Sequence, residues 1–246
     1  MPKSEAEQRD SLGISPEIGD VSSALIRAGR RPRAMLVLAH GAGADMDHAT
    51  MRAIAQTLAV RGVTTFRFNF PFMEQRRPRT DSRDVAMLTI ATAVERARSI
   101  APDVPLFVGG HSFGGRMSAH AVADVPLEQV RGLVFCAFPL HPANKPSVAR
   151  AEVLARVHVP MLFLSGTRDA LATPALLERV VAGLGSRGTL VWLDTADHGY
   201  RVLKRQRKET ASVFDEMGDA MSAWLDRVGA SYPFSGRHAK GSDPFA

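Results

Sequence analysis

Residues 104–115, which decide the fold, read VPLFVGGHSFGG. Their first five residues form an apolar run of strand length, and a helix rich in small residues is predicted after them. Between the two stands a Gly-x-Ser-x-Gly pattern centred on Ser112. A sharp strand-to-helix turn with glycines beside it holds such a serine strained and exposed, as a nucleophile requires. The alternative is a glycine-rich turn in which the serine is incidental.

Further apolar runs of strand length lie on both sides of this stretch and alternate with helical patterns. The predicted strands cover residues 34–39, 63–70, 104–108, 133–138, 159–164 and 189–193. The first predicted helix ends at Gly62, and three further helices are predicted over about 81–100, 174–184 and 208–228. Strands that alternate with helices in this way predict an α/β fold with a doubly wound, mostly parallel sheet.

One domain over residues 19–228 is expected. Residues 1–18 are polar and are predicted to be a mobile N-terminal segment, and residues 229–246, rich in Gly, Ser and Pro, a flexible C-terminal tail. Residues 139–157 are too few for a separate lid domain and are predicted to form a loop and a short helix.

The composition excludes several classes of protein. Of 246 residues, only Cys136 is a cysteine, which excludes a disulfide within the chain and a four-thiolate zinc site. The sequence lacks a bilayer-length apolar run and starts with polar residues, so a cytoplasmic protein without membrane association is expected. The net charge is +6, but the basic runs are not interleaved with aromatic residues, so nucleic-acid binding is not expected. The oligomeric state stays open.

A serine nucleophile needs a histidine that accepts its proton and an acid that orients the histidine. Asp169 and His198 follow two successive predicted strands, and parallel strands bring their carboxyl ends to one edge of the sheet. Asp194 and Asp197 are closer to His198 in sequence. The acid must reach the histidine nitrogen that faces away from the serine, however, which favours Asp169 from the neighbouring strand.

The remaining histidines are predicted to be structural or solvent-exposed. His111 lies inside the turn, His120 within a helix and His141 after a proline loop. His158 lies before a strand and His238 in the tail.

The strand at 34–39 runs into HGAGAD at residues 40–45. Small residues keep backbone N–H groups accessible, so Ala42 and Phe113 are predicted to donate to the oxyanion of a tetrahedral intermediate, with Gly43 as a weaker candidate. His40 would then support the loop. An alternative is that His40, Asp45, Asp47 and His48 bind a metal. Because Asp47 is well placed to cap the next helix, a metal is not expected. No cofactor is expected either, because an acyl-enzyme that water resolves requires none.

These motifs resemble the α/β-hydrolase superfamily in residue type, order and strand context. Four further stretches resemble its small, lidless, dienelactone-hydrolase-like branch: AHGAGADMDH at 39–48, RFNFP at 67–71, GGRM at 114–117 and HPANKP at 141–146. That branch includes the hydrolase-like subunit of the NSL acetyltransferase complex and its testis-expressed relative. The resemblance implies an eight-stranded fold, whose first strand is in question here, with Ser112 as nucleophile, Asp169 as acid and His198 as base.

The expected function is that of a serine hydrolase acting on an ester-like bond of a small to medium soluble substrate through an acyl-enzyme. Carboxylesterase and thioesterase activities both fit, and the fold leaves lactonase, peptidase and acyltransferase activities open as well. Two basic runs, one around Arg76, Arg77 and Arg79 and one starting at Arg201, could border the site and favour an anionic substrate. The alternative is a catalytically silent binding or scaffold protein of the same fold.

Overall fold

A computed structural model describes residues 7–207 and 210–231. Its strands form one eight-stranded sheet in the order β1-β2-β4-β3-β5-β6-β7-β8. Strands β1, β2 and β4 pair antiparallel, and all other neighbours pair parallel. In chain order the strands are β1 Gln8–Ser15, β2 Gly19–Ile26, β3 Ala34–Ala39, β4 Val63–Phe68, β5 Leu106–His111, β6 Val130–Cys136, β7 Met161–Gly166 and β8 Gly188–Leu193. The predicted doubly wound, mostly parallel sheet is confirmed.

Helices cover both faces of the sheet, which explains why the central strands are apolar without alternation. In β3, Met35 and Val37 belong to one core cluster, and Leu36 belongs to a second cluster that contains Trp224. The α-helices are α1 Ala49–Ala59, α2 Pro71–Glu74, α3 Arg83–Ile100, α4 Phe113–Asp124, α5 Pro174–Gly183 and α6 Val213–Ser231. Helix α6 starts about five residues later than predicted.

The N-terminal region departs from the prediction. A mobile segment over residues 1–18 is wrong for Gln8–Ser15, which is the edge strand β1 and pairs antiparallel with β2. The first strand is therefore present. An edge strand with one solvated face needs few apolar residues, and here Leu12 and Ile14 are its buried side chains, at 4% and 9% exposed. Residues 1–6 lie outside the described part.

A buried arginine ties this N-terminal region to the sheet. Arg67 in β4 is fully buried, pairs with Glu7 and donates to the Met46 carbonyl oxygen. Burial lowers the pKa of its guanidinium, and the nearby Glu7 carboxylate opposes that shift. Arg67 thus connects the residue before β1 to the loop that follows β3.

The connection between β6 and β7 is short. It contains a 3-10 helix, Ala149–Arg156, preceded by a loop, as predicted, and within the described chain it holds no inserted lid domain. At the C-terminus, α6 continues to Ser231, and the rest of the predicted tail, residues 232–246, lies outside the described residues. Among the helices that the structure describes, none is long and apolar enough to cross a membrane.

Candidate active site

Ser112 stands at the turn between β5 and α4 with φ 51° and ψ −112°. A positive φ is strained for any residue with a side chain, and the surrounding structure must compensate for the strain. One compensating contact is the hydrogen bond from the Ser112 N–H to the Cys136 carbonyl oxygen, at 3.0 Å. The turn therefore has the backbone geometry that presents a serine hydroxyl at the carboxyl edge of the sheet.

The flanking glycines permit a close approach to the end of β3. A Cβ atom on Gly110 would lie 2.2 Å from the Ala39 carbonyl oxygen, and one on Gly114 would lie 2.5 Å from the same oxygen. Both contacts are with backbone, which cannot move aside as a flexible side chain can. The two glycines therefore set the turn directly against β3 and the loop that follows it.

Gly110→Ala is expected to lower the free energy of unfolding by roughly 1–3 kcal/mol, because the added methyl group overpacks the contact with Ala39. Thermal unfolding would show this as a melting temperature several degrees below that of the wild type. Gly183→Ala is the matched control, since a Cβ there meets no atom within 4 Å, and it should be neutral or slightly stabilising. Equal melting temperatures for the two variants would contradict the close-approach argument.

The structure brings Ser112, His198 and Asp169 together in one chain of hydrogen bonds. His198 Nε2 lies 2.8 Å from Ser112 Oγ, and His198 Nδ1 lies 2.8 Å from Asp169 Oδ2. Because a carboxylate only accepts, Nδ1 carries the proton and donates it to Asp169, and Nε2 accepts from the serine hydroxyl. Asp169 Oδ1 accepts from the Leu171 N–H at 2.8 Å, which fixes the carboxylate.

Asp194 and Asp197 have different roles. Asp197 Oδ1 accepts from the N–H groups of Gly199 and Arg201, both at 2.9 Å, and so shapes the loop that carries His198. Asp194 follows the last residue of β8, and its backbone carbonyl accepts from Arg207. Among these three aspartates, Asp169 is the one bonded to the histidine ring.

The predicted oxyanion donors lie on the two segments next to Ser112. A Cβ on Gly41 would lie 3.6 Å from Ser112 Cβ, so the loop after β3 passes directly beside the turn. Within the described residues, the N–H groups of Ala42 and Phe113 have no hydrogen-bond acceptor. The same is true of Gly43, so the preference for Ala42 over Gly43 stays a prediction.

His40 holds this loop through hydrogen bonds of its buried side chain. Its side chain is fully buried, its Nε2 accepts from the Phe70 N–H at 2.9 Å, and its Nδ1 donates to the Gly41 carbonyl oxygen at 2.7 Å. Burial lowers the pKa of His40 to about 4, so the ring is neutral near pH 7. His40 therefore holds the loop in place through both ring nitrogens.

The metal-binding alternative does not match the arrangement of its four side chains. Asp47, predicted to cap α1, instead pairs with Arg9, and His48 is the cap, with its Nδ1 accepting from the Thr50 N–H at 3.3 Å. Asp45 accepts from the Asp47 N–H. Across residues 7–207 and 210–231, no group of three or more candidate ligands could hold a metal ion.

Two of the other histidines form structural contacts. His111 Nε2 donates to the His198 carbonyl oxygen at 2.8 Å, and burial lowers the pKa of His111 to about 4. His141 Nε2 accepts from the Thr173 N–H at 3.0 Å. His158 is exposed before β7, and His238 lies outside the described residues.

A cleft of about 560 Å³ opens beside the turn, between α4 and the 3-10 helix Ala149–Arg156. Its lining includes Arg116 and Arg150, which the sequence analysis did not select as site residues, although Arg116 lies in the GGRM stretch. The arginine runs at 76–79 and 201 do not line it. Arg116 could have been found from its position four residues after Ser112 in a helix. Arg150 could not, because its placement depends on the path of the loop after β6.

Comparison with known proteins identifies related folds. The family model described as an alpha/beta hydrolase domain matches residues 32–226. Dienelactone hydrolase from Anabaena variabilis is 19% identical, with a TM-score of 0.68 over 90% of this chain and 97% of its own. XC6422 from Xanthomonas campestris, described as a serine hydrolase without a lid, is 20% identical, with a TM-score of 0.66 over 94% and 96%. Est1E from Butyrivibrio proteoclasticus is 13% identical, with a TM-score of 0.69 over 90% and 99%.

Proposed function

The chain belongs to the α/β-hydrolase family. Within that family we propose that it is a serine hydrolase. Its substrate in this proposal is a small to medium soluble molecule with an ester-like bond, as for a carboxylesterase or a thioesterase. The observation that carries the proposal is the pair of 2.8 Å hydrogen bonds from Asp169 through His198 to Ser112. A family fold alone would not support a reaction, because many functions share it.

The proposed reaction starts when Ser112 Oγ attacks the carbonyl carbon of the substrate. His198 Nε2 takes the hydroxyl proton, and the charge that develops on the carbonyl oxygen is bound by the N–H groups of Phe113 and Ala42. The tetrahedral intermediate collapses, the bond to the leaving group breaks, and the His198 imidazolium protonates that group. Asp169 keeps the ring oriented and stabilises its positive charge.

Water completes the turnover in the proposed scheme. His198 Nε2 takes a proton from a water molecule, whose oxygen attacks the acyl-enzyme carbonyl. The second intermediate then releases the acid product and returns the proton to Ser112 Oγ. These steps need the chain's own side chains and water.

The proposal also covers substrate access, cellular location and the branch of the family. The connection between β6 and β7 is short, which favours direct access to the site by a soluble substrate. A cytoplasmic location fits a chain whose one cysteine, Cys136, is buried and free. The proposed membership of the branch that includes the NSL-complex subunit is supported by the AHGAGADMDH, RFNFP, GGRM and HPANKP stretches.

Labelling with a fluorophosphonate probe tests the proposal. An activated Ser112 displaces fluoride and becomes covalently phosphonylated, so the wild type should label and Ser112→Ala should not. Ser186→Ala is the matched control, because Ser186 is exposed just before β8, at the opposite edge of the sheet, and this variant should label like the wild type. Folded wild-type protein that does not label would favour a binding or scaffold protein instead.

A further inference from the structure

The cleft beside the turn carries positive charge that the proposed reaction does not use. Helix α4 contributes Phe113, Arg116, Met117 and His120 to its lining, and the 3-10 helix contributes Arg150. Arg83 and Arg156 also line the cleft, but each pairs with a carboxylate, that of Asp84 and that of Asp124. Phe113 is the residue whose N–H is proposed to bind the substrate oxygen, and it follows Ser112 directly. Ser112 and His198 themselves do not line the cleft, so the cleft lies next to the turn, on the side of helix α4.

Arg116 and Arg150 have no carboxylate partner anywhere in the described residues. The Arg116 side chain is half-buried, and its Nε is buried without a hydrogen-bond partner. Burial and then the neighbouring Arg150 charge lower the pKa of the Arg116 guanidinium. Two cations close to each other without an anion are unfavourable, and a bound anion would stabilise both.

The acidic residues of the cleft do not compensate these charges. Asp81 is committed elsewhere, because it pairs with Arg77 and accepts from the Phe72 N–H. Glu152 is exposed, with no ion pair to a described residue. The cleft therefore keeps an excess of positive charge.

Arg116 is placed to reach the reacting group. It lies about one helical turn after Ser112, a rise of roughly 6 Å, and its N–H donates to the Ser112 carbonyl oxygen at 3.1 Å. Helical side chains lean towards the N-terminus of their helix, so the Arg116 side chain leans towards Ser112. Substrate bound at Ser112 therefore lies within reach of its guanidinium.

The stereochemistry of the reaction selects which half of the substrate enters the cleft. His198 protonates the leaving group, so the leaving group must face His198. The cleft is lined by α4, the 3-10 helix and residues near Asp81, and no residue of the His198 loop lines it. The acyl half of the substrate faces away from His198 and thus towards the cleft.

We infer that the substrate carries a carboxylate or phosphate group on its acyl half, which Arg116 and Arg150 bind in this cleft. This inference rests on the proposed function and adds the substrate class to it. A guanidinium pair binds either group through charge-assisted hydrogen bonds, which are about twice as strong as neutral ones. His120, whose Nδ1 is buried without a partner, lies in the same lining and is a further candidate donor.

Binding to the Ser112→Ala variant measures this preference without turnover. The probes are 4-nitrophenyl hydrogen glutarate and 4-nitrophenyl 4-phosphonobutanoate, each compared by calorimetry with its neutral methyl ester. The preferred charged probe should bind at least about tenfold more tightly than its neutral partner, and less so at high salt. The ratio between the two probes distinguishes a carboxylate from a phosphate.

Adding Arg116→Gln or Arg150→Gln to Ser112→Ala should remove most of that preference. The two residues lie on separate elements, so one variant remains informative where the other fails to fold. Arg131→Gln is the control, because Arg131 is exposed near the start of β6, at the other end of the strands from Ser112, and does not line the cleft, so this variant should keep the preference. Equal binding of charged and neutral probes, or a preference that survives both cleft variants, overturns the inference.

The same probes separate this inference from the proposed function. Wild-type protein that hydrolyses charged and neutral esters equally well retains the hydrolase proposal and contradicts the anion-binding cleft. Wild-type protein that neither hydrolyses nor labels, while Ser112→Ala still binds the charged probe in an Arg116-dependent way, retains the cleft and contradicts the hydrolase.

Discussion

Ser112→Ala and His198→Ala are each expected to lower kcat for ester hydrolysis by about 10⁴- to 10⁶-fold, and the double variant should be no slower than either single one. The reason is the 2.8 Å hydrogen bond between His198 Nε2 and Ser112 Oγ, through which the two side chains act as a unit. Without the histidine the hydroxyl is a poor nucleophile, and without the hydroxyl the histidine has no proton to accept. Steady-state kinetics on the best ester substrate measures all three variants.

The controls for this result address folding and specificity. Circular dichroism and thermal unfolding should show folded variants, although His198→Ala leaves the buried Asp169 carboxylate without its partner and is expected to melt earlier. His198→Asn, whose amide can still donate to Asp169, is the second variant for that case. His158→Ala, at an exposed histidine before β7, should keep wild-type turnover. Losses that multiply in the double variant would show that the two residues do not share a step.

The central strands and the turn were predictable because their signals are local. Strands β3, β5, β6 and β7 are largely buried on both faces, so each is an apolar run that can be recognised without knowing its neighbours. The edge strand β8 is mostly half-buried, and β4 contains Thr64, Thr65 and Arg67, yet both keep enough apolar residues to be predicted. The positions of Ser112, Asp169 and His198 follow from a parallel sheet, since each residue lies within five residues of the carboxyl end of a strand. Order along the chain and strand context were sufficient for this part of the candidate site.

Strands β1 and β2 were missed because their signal depends on their place in the sheet. Strand β1, QRDSLGIS, is mostly polar and becomes a strand through antiparallel pairing with β2. Its alternating Leu12 and Ile14, followed by the turn at Gly19 with φ 84°, were a weak hairpin signal. The burial of Arg67, which pairs with Glu7, likewise depends on contacts between distant parts of the chain.

The cap of α1 and the positive cleft were not predicted because they depend on the paths of loops. The cap of α1 is His48 and not Asp47, because Asp47 pairs with Arg9 of the unpredicted β1. The unpaired positive charge of the cleft comes from Arg116 and Arg150, which are separated by the whole of β6 and its following loop. It does not come from the arginine runs that the sequence makes conspicuous. The local sequence shows how many charges a run contains, but it does not show where the loop places those side chains.

Asp169→Asn is expected to keep the fold and to lower kcat by up to about 10⁴-fold. The expectation follows from the two contacts of the carboxylate. Its Oδ1 accepts from the Leu171 N–H at 2.8 Å, and its Oδ2 accepts from His198 Nδ1 at 2.8 Å. In asparagine the remaining oxygen stays opposite the Leu171 N–H, because the alternative would set two donors against each other. The amide NH₂ group then faces His198 Nδ1.

That NH₂ group donates to Nδ1 and so forces the proton of the ring onto Nε2. A protonated Nε2 can no longer accept the Ser112 proton. Asp197→Asn should lower kcat far less, because its amide oxygen can still accept from the Gly199 and Arg201 N–H groups. Asp194→Asn should also lower kcat far less, because Asp194 has no contact with the hydrogen bonds that join Asp169, His198 and Ser112. Kinetics on the three variants, with a pH profile for each, decides the assignment. If Asp169→Asn keeps near wild-type turnover while Asp194→Asn or Asp197→Asn collapses, a different carboxylate orients His198.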